Sequence, residues 1–343
     1  MRIVLDAMGS DDCPGPEVQA AVEAANLFRE EVILVGPEDE LERRLEAHPT
    51  PATPIRIVDA QDVITMEDKG LQLALKAKRR GSKTSMAIGM DLLKNGDADA
   101  FVTAGNTGGA LATAYYRLGT IPGVERPSVS AFFPVKNGSC VVLDIGANPD
   151  CRPEHMLQFA VFGTVYSQKI RGIKNPRVGL LSNGEEAGKG NELARDTYPL
   201  LQASGLNFVG NIEGKELFGG EVDVAVTDGF TGNVLLKSSE AVAKLLVDTL
   251  REELTSSTRT KIGALFARPA FNKLKVILDP AEIGAVPLLG VNGLVLIGHG
   301  RSDARALVNA IRSARKVVEV DLLSALKTAI KESLADINLE ENA

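Results

Sequence analysis

The chain has 343 residues, enough for a large buried core, and an ordinary globular composition with 44% hydrophobic residues and no tryptophan. A formal net charge of −7 argues against general nucleic-acid binding. Cys13, Cys140 and Cys151 form no CxxC or Cys/His pattern, so neither a disulfide framework nor a zinc site is suggested and a reducing cytoplasm fits best.

In chain order, an apolar strand at 3–5 runs straight into Asp6-Ala7-Met8-Gly9-Ser10-Asp11. Strand-like runs follow at 31–35 and 55–58, and one at 99–102 leads into Thr103-Ala104-Gly105-Asn106-Thr107-Gly108-Gly109 and a helix. Two more, at 129–133 and 139–143, precede Asp144-Ile145-Gly146-Ala147-Asn148 and a helix from Pro153. The strand at 177–181 precedes a loop from Ser182 to Asn191 that carries Glu185, Gly188 and Lys189. After 207–209, the strand at 222–227 gives way to Asp228-Gly229-Phe230-Thr231-Gly232-Asn233 and a helix near Val234. A last strand at 293–297 precedes His299.

Strands alternating with helical patterns predict an α/β chain with a doubly wound, mainly parallel sheet, either one unit or two closely joined lobes. Five Gly/Asn/Thr-rich loops at strand carboxyl ends are then expected to line one crevice, where glycines let backbone approach a ligand and helix N-termini favour anions. Each loop alone reads equally well as a cap closing a βα turn. The segment 254–278 has no acidic residue and carries Arg259, Lys261, Arg268, Lys273 and Lys275; with Pro269 interrupting its apolar spacing, it reads as a protruding basic amphipathic helical hairpin. Packing against a second subunit, or contact with a membrane or carrier, would each use such a surface. Lys76, Lys78, Arg79, Arg80 and Lys83 form another basic segment, suited to an acidic carrier or a solvated face.

Several chemistries are disfavoured. The 184–190 loop is one residue short of a Walker A loop and has glycine where Ser or Thr would bind magnesium, and the first turn lacks GxGxxG. No GxSxG elbow is present, and of His48, His155 and His299 only the last falls at the expected ligand edge. No apolar run reaches the roughly 18 residues of a membrane span, so a surface attachment is the most the chain would make.

These motifs closely resemble the bacterial phosphate acyltransferases of phospholipid synthesis. The resemblance covers nearly the whole chain and rests on DAMGSD at 6–11, TAGNTGGAL at 103–111, DIGANPDCRPEHMLQFA at 144–160, GEEAGKGNEL at 184–193, FVGNIEG at 208–214, DGFTGNVLLK at 228–237 and HGRSDARALVNAI at 299–311. Ser10, Asp12 and the 282–285 segment depart from the usual pattern. The resemblance implies an α/β/α sandwich similar to the isopropylmalate dehydrogenase and phosphotransacetylase fold. It also implies acyl transfer from acyl carrier protein to inorganic phosphate, with no cofactor or metal. A homodimer at the inner face of the cell membrane, passing acyl phosphate to a membrane glycerol-phosphate acyltransferase, would follow.

Within that chemistry, loop position assigns Lys189 and the amides of Gly188, Thr107 and Gly108 to phosphate, and Asn233 and Thr231, after Asp228, to the oxyanion. Asp144, Asn148, Asn191 and Asn211 would orient the loops and the pantetheine arm or merely brace them. His299 would contact the pantetheine or protonate its sulfur, and Gly9, Asn106 and Glu185 complete the expected substrate-contact set. Two other readings stand beside this one: an NAD-dependent decarboxylating hydroxyacid dehydrogenase on the same fold, and a non-catalytic membrane or carrier-protein scaffold.

Overall fold

A computed structural model describes residues 1–79 and 81–340; Arg80 of the first basic segment lies outside them, as do the side chains of Lys275 and Leu278. The described residues form strands β1 (Arg2–Asp6), β2 (Glu31–Gly36), β3 (Ile55–Asp59), β4 (Ala100–Thr103), β5 (Ser128–Val135), β6 (Gly138–Leu143), β7 (Val178–Leu181), β8 (Phe208–Ile212), β9 (Val224–Val226), β10 (Ala285–Leu289) and β11 (Val295–Gly298). Between and after them lie helices α1 (Gly15–Phe28), α2 (Glu38–Leu45), α3 (Gly70–Lys78), α4 (Ser85–Lys94), α5 (Thr107–Arg117), α6 (Pro153–Tyr166), α7 (Glu192–Ala203), α8 (Gly214–Gly219), α9 (Gly229–Thr255), α10 (Thr258–Leu278), α11 (Ala304–Glu319) and α12 (Leu322–Glu340).

The strands make one sheet in the order β3-β2-β1-β4-β11-β10-β5-β6-β9-β7-β8. Its central strands are buried on both faces and correspondingly rich in Val, Leu and Ile. One hydrophobic cluster joins one face to α1, α6, α7, α11 and α12, and a second joins the other face to α4, α5 and α9, an α/β/α sandwich.

The sheet is mainly parallel but not all one way. β10 is antiparallel to β11 and to β5, and β5 is antiparallel to β6. The parallel block β3-β2-β1-β4-β11 therefore runs opposite to the block β6-β9-β7-β8. The expectation that all five polar loops emerge at one sheet edge is corrected accordingly: those after β1, β4 and β11 leave by one edge, and those after β6, β7 and β9 by the other.

β10 is a strand the sequence pattern hides, because Pro287 interrupts it. It pairs with β5 only through Leu288 and Leu289, so at Pro287 the strand has a ladder neighbour on one side alone. The protruding hairpin also differs from expectation. α9 continues for 27 residues to Thr255, the turn lies at Ser256 and Ser257, and α10 runs through Pro269 without ending. Ser257 fixes that turn by accepting the Thr260 N–H, and Thr260 Oγ1 accepts the Ser257 N–H in return.

Candidate active site

The turn between β9 and α9 is held against the loop after β6 by backbone contact. A Cβ on Gly232 would stand 1.9 Å from the Asp144 carbonyl oxygen, and one on Gly229 would stand 2.7 Å from that of Asn148. Only glycine permits this approach, which accounts for two of the motif's residues. Asp144 anchors its own loop: its buried carboxylate accepts N–H groups from Val129, Gly146, Ala147 and Asn148 and the Asn148 side-chain amide at 2.7–3.2 Å. Burial pushes the carboxyl upward while these donors pull the other way. Asp228 caps α9 by accepting the Thr231 N–H at 2.8 Å, and the Thr231 hydroxyl donates to the same carboxylate at 2.9 Å. The helix thus starts at Gly229, earlier than the pattern suggested, and Thr231 has its hydroxyl proton committed. Phe230 is the exposed member of this turn, and the half-buried Asn233 lies over the open Cα of Gly146, whose notional Cβ would lie 3.6 Å from the Asn233 side chain.

On the other block, the Asp6 carboxylate accepts the Thr103 hydroxyl at 2.7 Å, and Thr103 Oγ1 accepts the Gly105 N–H at 3.0 Å. Gly9 packs on the Ala104 and Gly105 amides, leaving no room for a Cβ, and Asp11 N–H donates to the Gly300 carbonyl at 2.7 Å. The loops after β1, β4 and β11 are therefore one body. Asn106 is spent as a cap, accepting the Gly109 N–H while its amide donates to the Thr65 and Asp68 carbonyls. Thr107 and Gly108 are left exposed at the N-terminus of α5.

A cavity of about 1100 Å³ lies where β5 and β10 diverge, with α9 and α10 beside it. Its polar boundary includes Thr107, Gly146, Asn233, Lys237, Ser238, Ser239, Glu240, Asp279 and His299, with Lys136 at the far end of β5; the rest is largely apolar, including Val129, Ala131, Phe133, Val135, Leu236 and Leu246. Residues from both blocks meet there although their strands point in opposite directions. Lys237 and Glu240 escaped the sequence reading. The usable signal was their spacing of four and seven from Asn233, which puts all three on one helical face. Lys237 makes no ion pair among the described residues. His299 stands at the mouth; the protein around its ring lowers its pKa, Glu240 opposes that shift, and Arg301 and Lys237 add to it.

Lys189 does not border the cavity. Its loop follows β7, the sheet neighbour of β9, so it emerges beside the Asp228–Asn233 turn at the same edge. Lys189 is exposed and its N–H donates to the Glu186 carbonyl, which also accepts the buried Asn211 amide at 2.8 Å. Asn211 Oδ1 has no partner. Asn191 is the cap of α7, accepting the Ala194 N–H at 2.9 Å. Glu185 pairs with Lys215 at 2.6 Å, and the same ammonium serves Glu213 and Glu216, so this acidic cluster already contains a cation. Gly188 has open space around it.

Fold and cavity together define an α/β enzyme in which a long apolar groove ends at amide, imidazole and ammonium groups. The fold is that of the phosphotransacetylases: the EutD phosphotransacetylase of Staphylococcus aureus superposes with a TM-score of 0.58 at 16% identity, covering 92% of this chain and 94% of the other. A family model described as "Fatty acid synthesis protein" matches residues 1–325. Proteins named phosphate acyltransferase from Pelotomaculum thermopropionicum and Acidobacterium capsulatum are 47% and 46% identical, over 96% and 91% of this chain and 95% and 92% of their own. The chain belongs to the phosphate acyltransferase family and is a transferase.

Proposed function

We propose that the protein transfers a fatty acyl group from acyl carrier protein to inorganic phosphate, giving acyl phosphate for phospholipid synthesis. The observation that carries this reading is the groove itself: apolar walls suited to an acyl chain meet Asn233, Lys237, His299 and the open N-terminus of α5 at one end. A phosphate oxygen attacks the thioester carbonyl carbon, a tetrahedral oxyanion forms, and its collapse expels the pantetheine thiolate. With a thiol pKa of about 8.5, that leaving group needs little acid assistance, so positioning and charge stabilisation supply most of the rate.

Asn233 is the oxyanion donor in this scheme. The Thr107 and Gly108 amides and Lys189, entering from beside the β9 turn, hold the phosphate, and His299 with Lys237 flanks the thioester sulfur. Asp144, Asn148, Asp228, Asn191, Asn211 and Gly9 keep the loops in place, consistent with their hydrogen bonds and close approaches. None of these steps calls for a nucleotide, a metal or a redox cofactor.

The carrier protein is assigned to α3, which packs on α5 close to Thr107 and exposes Leu71, Leu75 and Lys78. An acidic partner would complement this surface. Exposed Ile262, Leu265 and Phe266 on α10, interleaved with cations, are assigned to a second subunit or to an anionic bilayer. No described helix is long and apolar enough to cross a membrane. Attachment to the inner membrane face would place labile acyl phosphate near a membrane glycerol-phosphate acyltransferase.

The test is thiol release from acyl carrier protein by purified protein. Release should track added phosphate and persist in chelator without ATP or NAD; release indifferent to phosphate would mean a thioesterase.

A further inference from the structure

The cavity has a length as well as a chemistry. From Asn233 to Leu246, α9 borders it over thirteen residues, about 20 Å at 1.5 Å per residue. From Val129 to Val135, β5 borders it over six residues, again about 20 Å at roughly 3.3 Å each. Val129 marks the site end of the strand, since its carbonyl accepts the Ile145 N–H and its own N–H donates to Asp144. At the other end, Phe133 and Phe218 pack with ring centroids 6.3 Å apart, and Lys136 N–H donates to the Phe218 carbonyl. An extended alkyl chain, with bonds of about 1.52 Å, advances roughly 1.25 Å per carbon, so 20 Å corresponds to about sixteen carbons. The groove therefore matches a long-chain acyl group placed with its carbonyl at Asn233.

The walls present exposed apolar surface. Leu246 and Ile277 border the cavity yet are 63% and 59% exposed. Beyond Glu240, the α9 positions on the cavity are apolar: Val242, Ala243 and Leu246.

Resting on the acyl-transfer reading, we infer that α9 acts as a ruler: residues at and beyond Ala243 set the longest acyl chain the enzyme accepts. Ala243 lies ten residues from Asn233, roughly 15 Å along the helix, or about twelve carbons from the carbonyl. Its side chain leaves the passage open. Enlarging it should truncate the groove without touching the reacting end.

The experiment compares Ala243→Phe with Ala241→Phe, an exposed position on the same helix that does not border the cavity. Each is assayed for phosphate-dependent turnover of octanoyl-, decanoyl- and hexadecanoyl-carrier protein, with thermal melting to confirm folding. Ala243→Phe should lower kcat/KM at least tenfold for the sixteen-carbon chain and leave the eight- and ten-carbon chains within twofold. Leu246→Trp, near the distal end, should penalise sixteen carbons less than Ala243→Phe does and supplies the test should Ala243→Phe misfold. Unchanged chain-length ratios in both groove variants, or an equal loss for every chain, would overturn the ruler. Acyl phosphate formation by the parent protein with unchanged ratios defeats the ruler alone; no acyl phosphate from any chain defeats the underlying reading.

Discussion

Gly232 shows how much of the site is set by single residues. With the Asp144 carbonyl 1.9 Å from any added Cβ, Gly232→Ala must separate the α9 turn from the β6 loop and displace Asn233 with it. Asn233→Ala and Lys189→Ala should each lower turnover roughly 100-fold or more in a folded protein, the scale of losing one preorganised group. Near-normal rates in Lys189→Ala would make it a solvated loop residue. A different residue-scale prediction concerns Glu17, buried on α1, whose Oε1 accepts the Ser10 N–H at 2.9 Å while Oε2 has no partner. Burial raises its pKa from 4.5 to about 7. A carboxyl with a raised folded pKa contributes stability below pH 4.5 that is lost as pH rises through 7, at most roughly 3 kcal/mol. Glu17→Gln should therefore melt higher than the parent at pH 8 by the equivalent of about 1–3 kcal/mol, and lose that advantage by pH 4. A variant destabilised equally at both values contradicts a charged Glu17 at high pH. Asp144, Asn148 and Asp228 were legible as loop residues because Asx side chains satisfy turn amides; Lys237 and Glu17 were not, since neither lies in a turn and only tertiary contact gives them meaning.

At the scale of elements, the boundaries of α9 and α10 were not legible in the sequence. Pro269 looks like a terminator in sequence, but the capped turn at Ser257 fixes the start of α10, and an exposed helix can leave one carbonyl to water. β10 was missed for the same reason in reverse, its proline tolerated where the ladder has one partner. The hairpin's exposed apolar residues predict a measurable property. Leu265 and Phe266 are 65% and 82% exposed. Leu265→Glu/Phe266→Glu should abolish co-sedimentation with anionic vesicles while activity on soluble acyl-carrier protein is kept; raised salt should weaken parent binding, at about 1 kcal/mol per nearby cation. Loss of both activity and dimer mass in that variant would make the surface a subunit contact instead.

For the whole molecule, strand order decides what meets what. Alternating strands and helices announced a doubly wound sheet, and seven motifs carried the family resemblance, yet no local pattern records that β10 and β5 reverse the sheet between its two parallel blocks. That reversal places the groove where the blocks diverge, with α5 and the loop after β11 on one side and α9 on the other. The central claim is that phosphate itself attacks the acyl carbon at the polar end of this groove. The most direct measurement uses phosphate labelled with ¹⁸O at all four oxygens and mass spectrometry of the acyl phosphate formed from unlabelled acyl-carrier protein. Direct attack predicts a product that retains all four labelled oxygens, the bridging one included; a product retaining only three, its bridge drawn from a fatty acid carboxylate, would contradict the account.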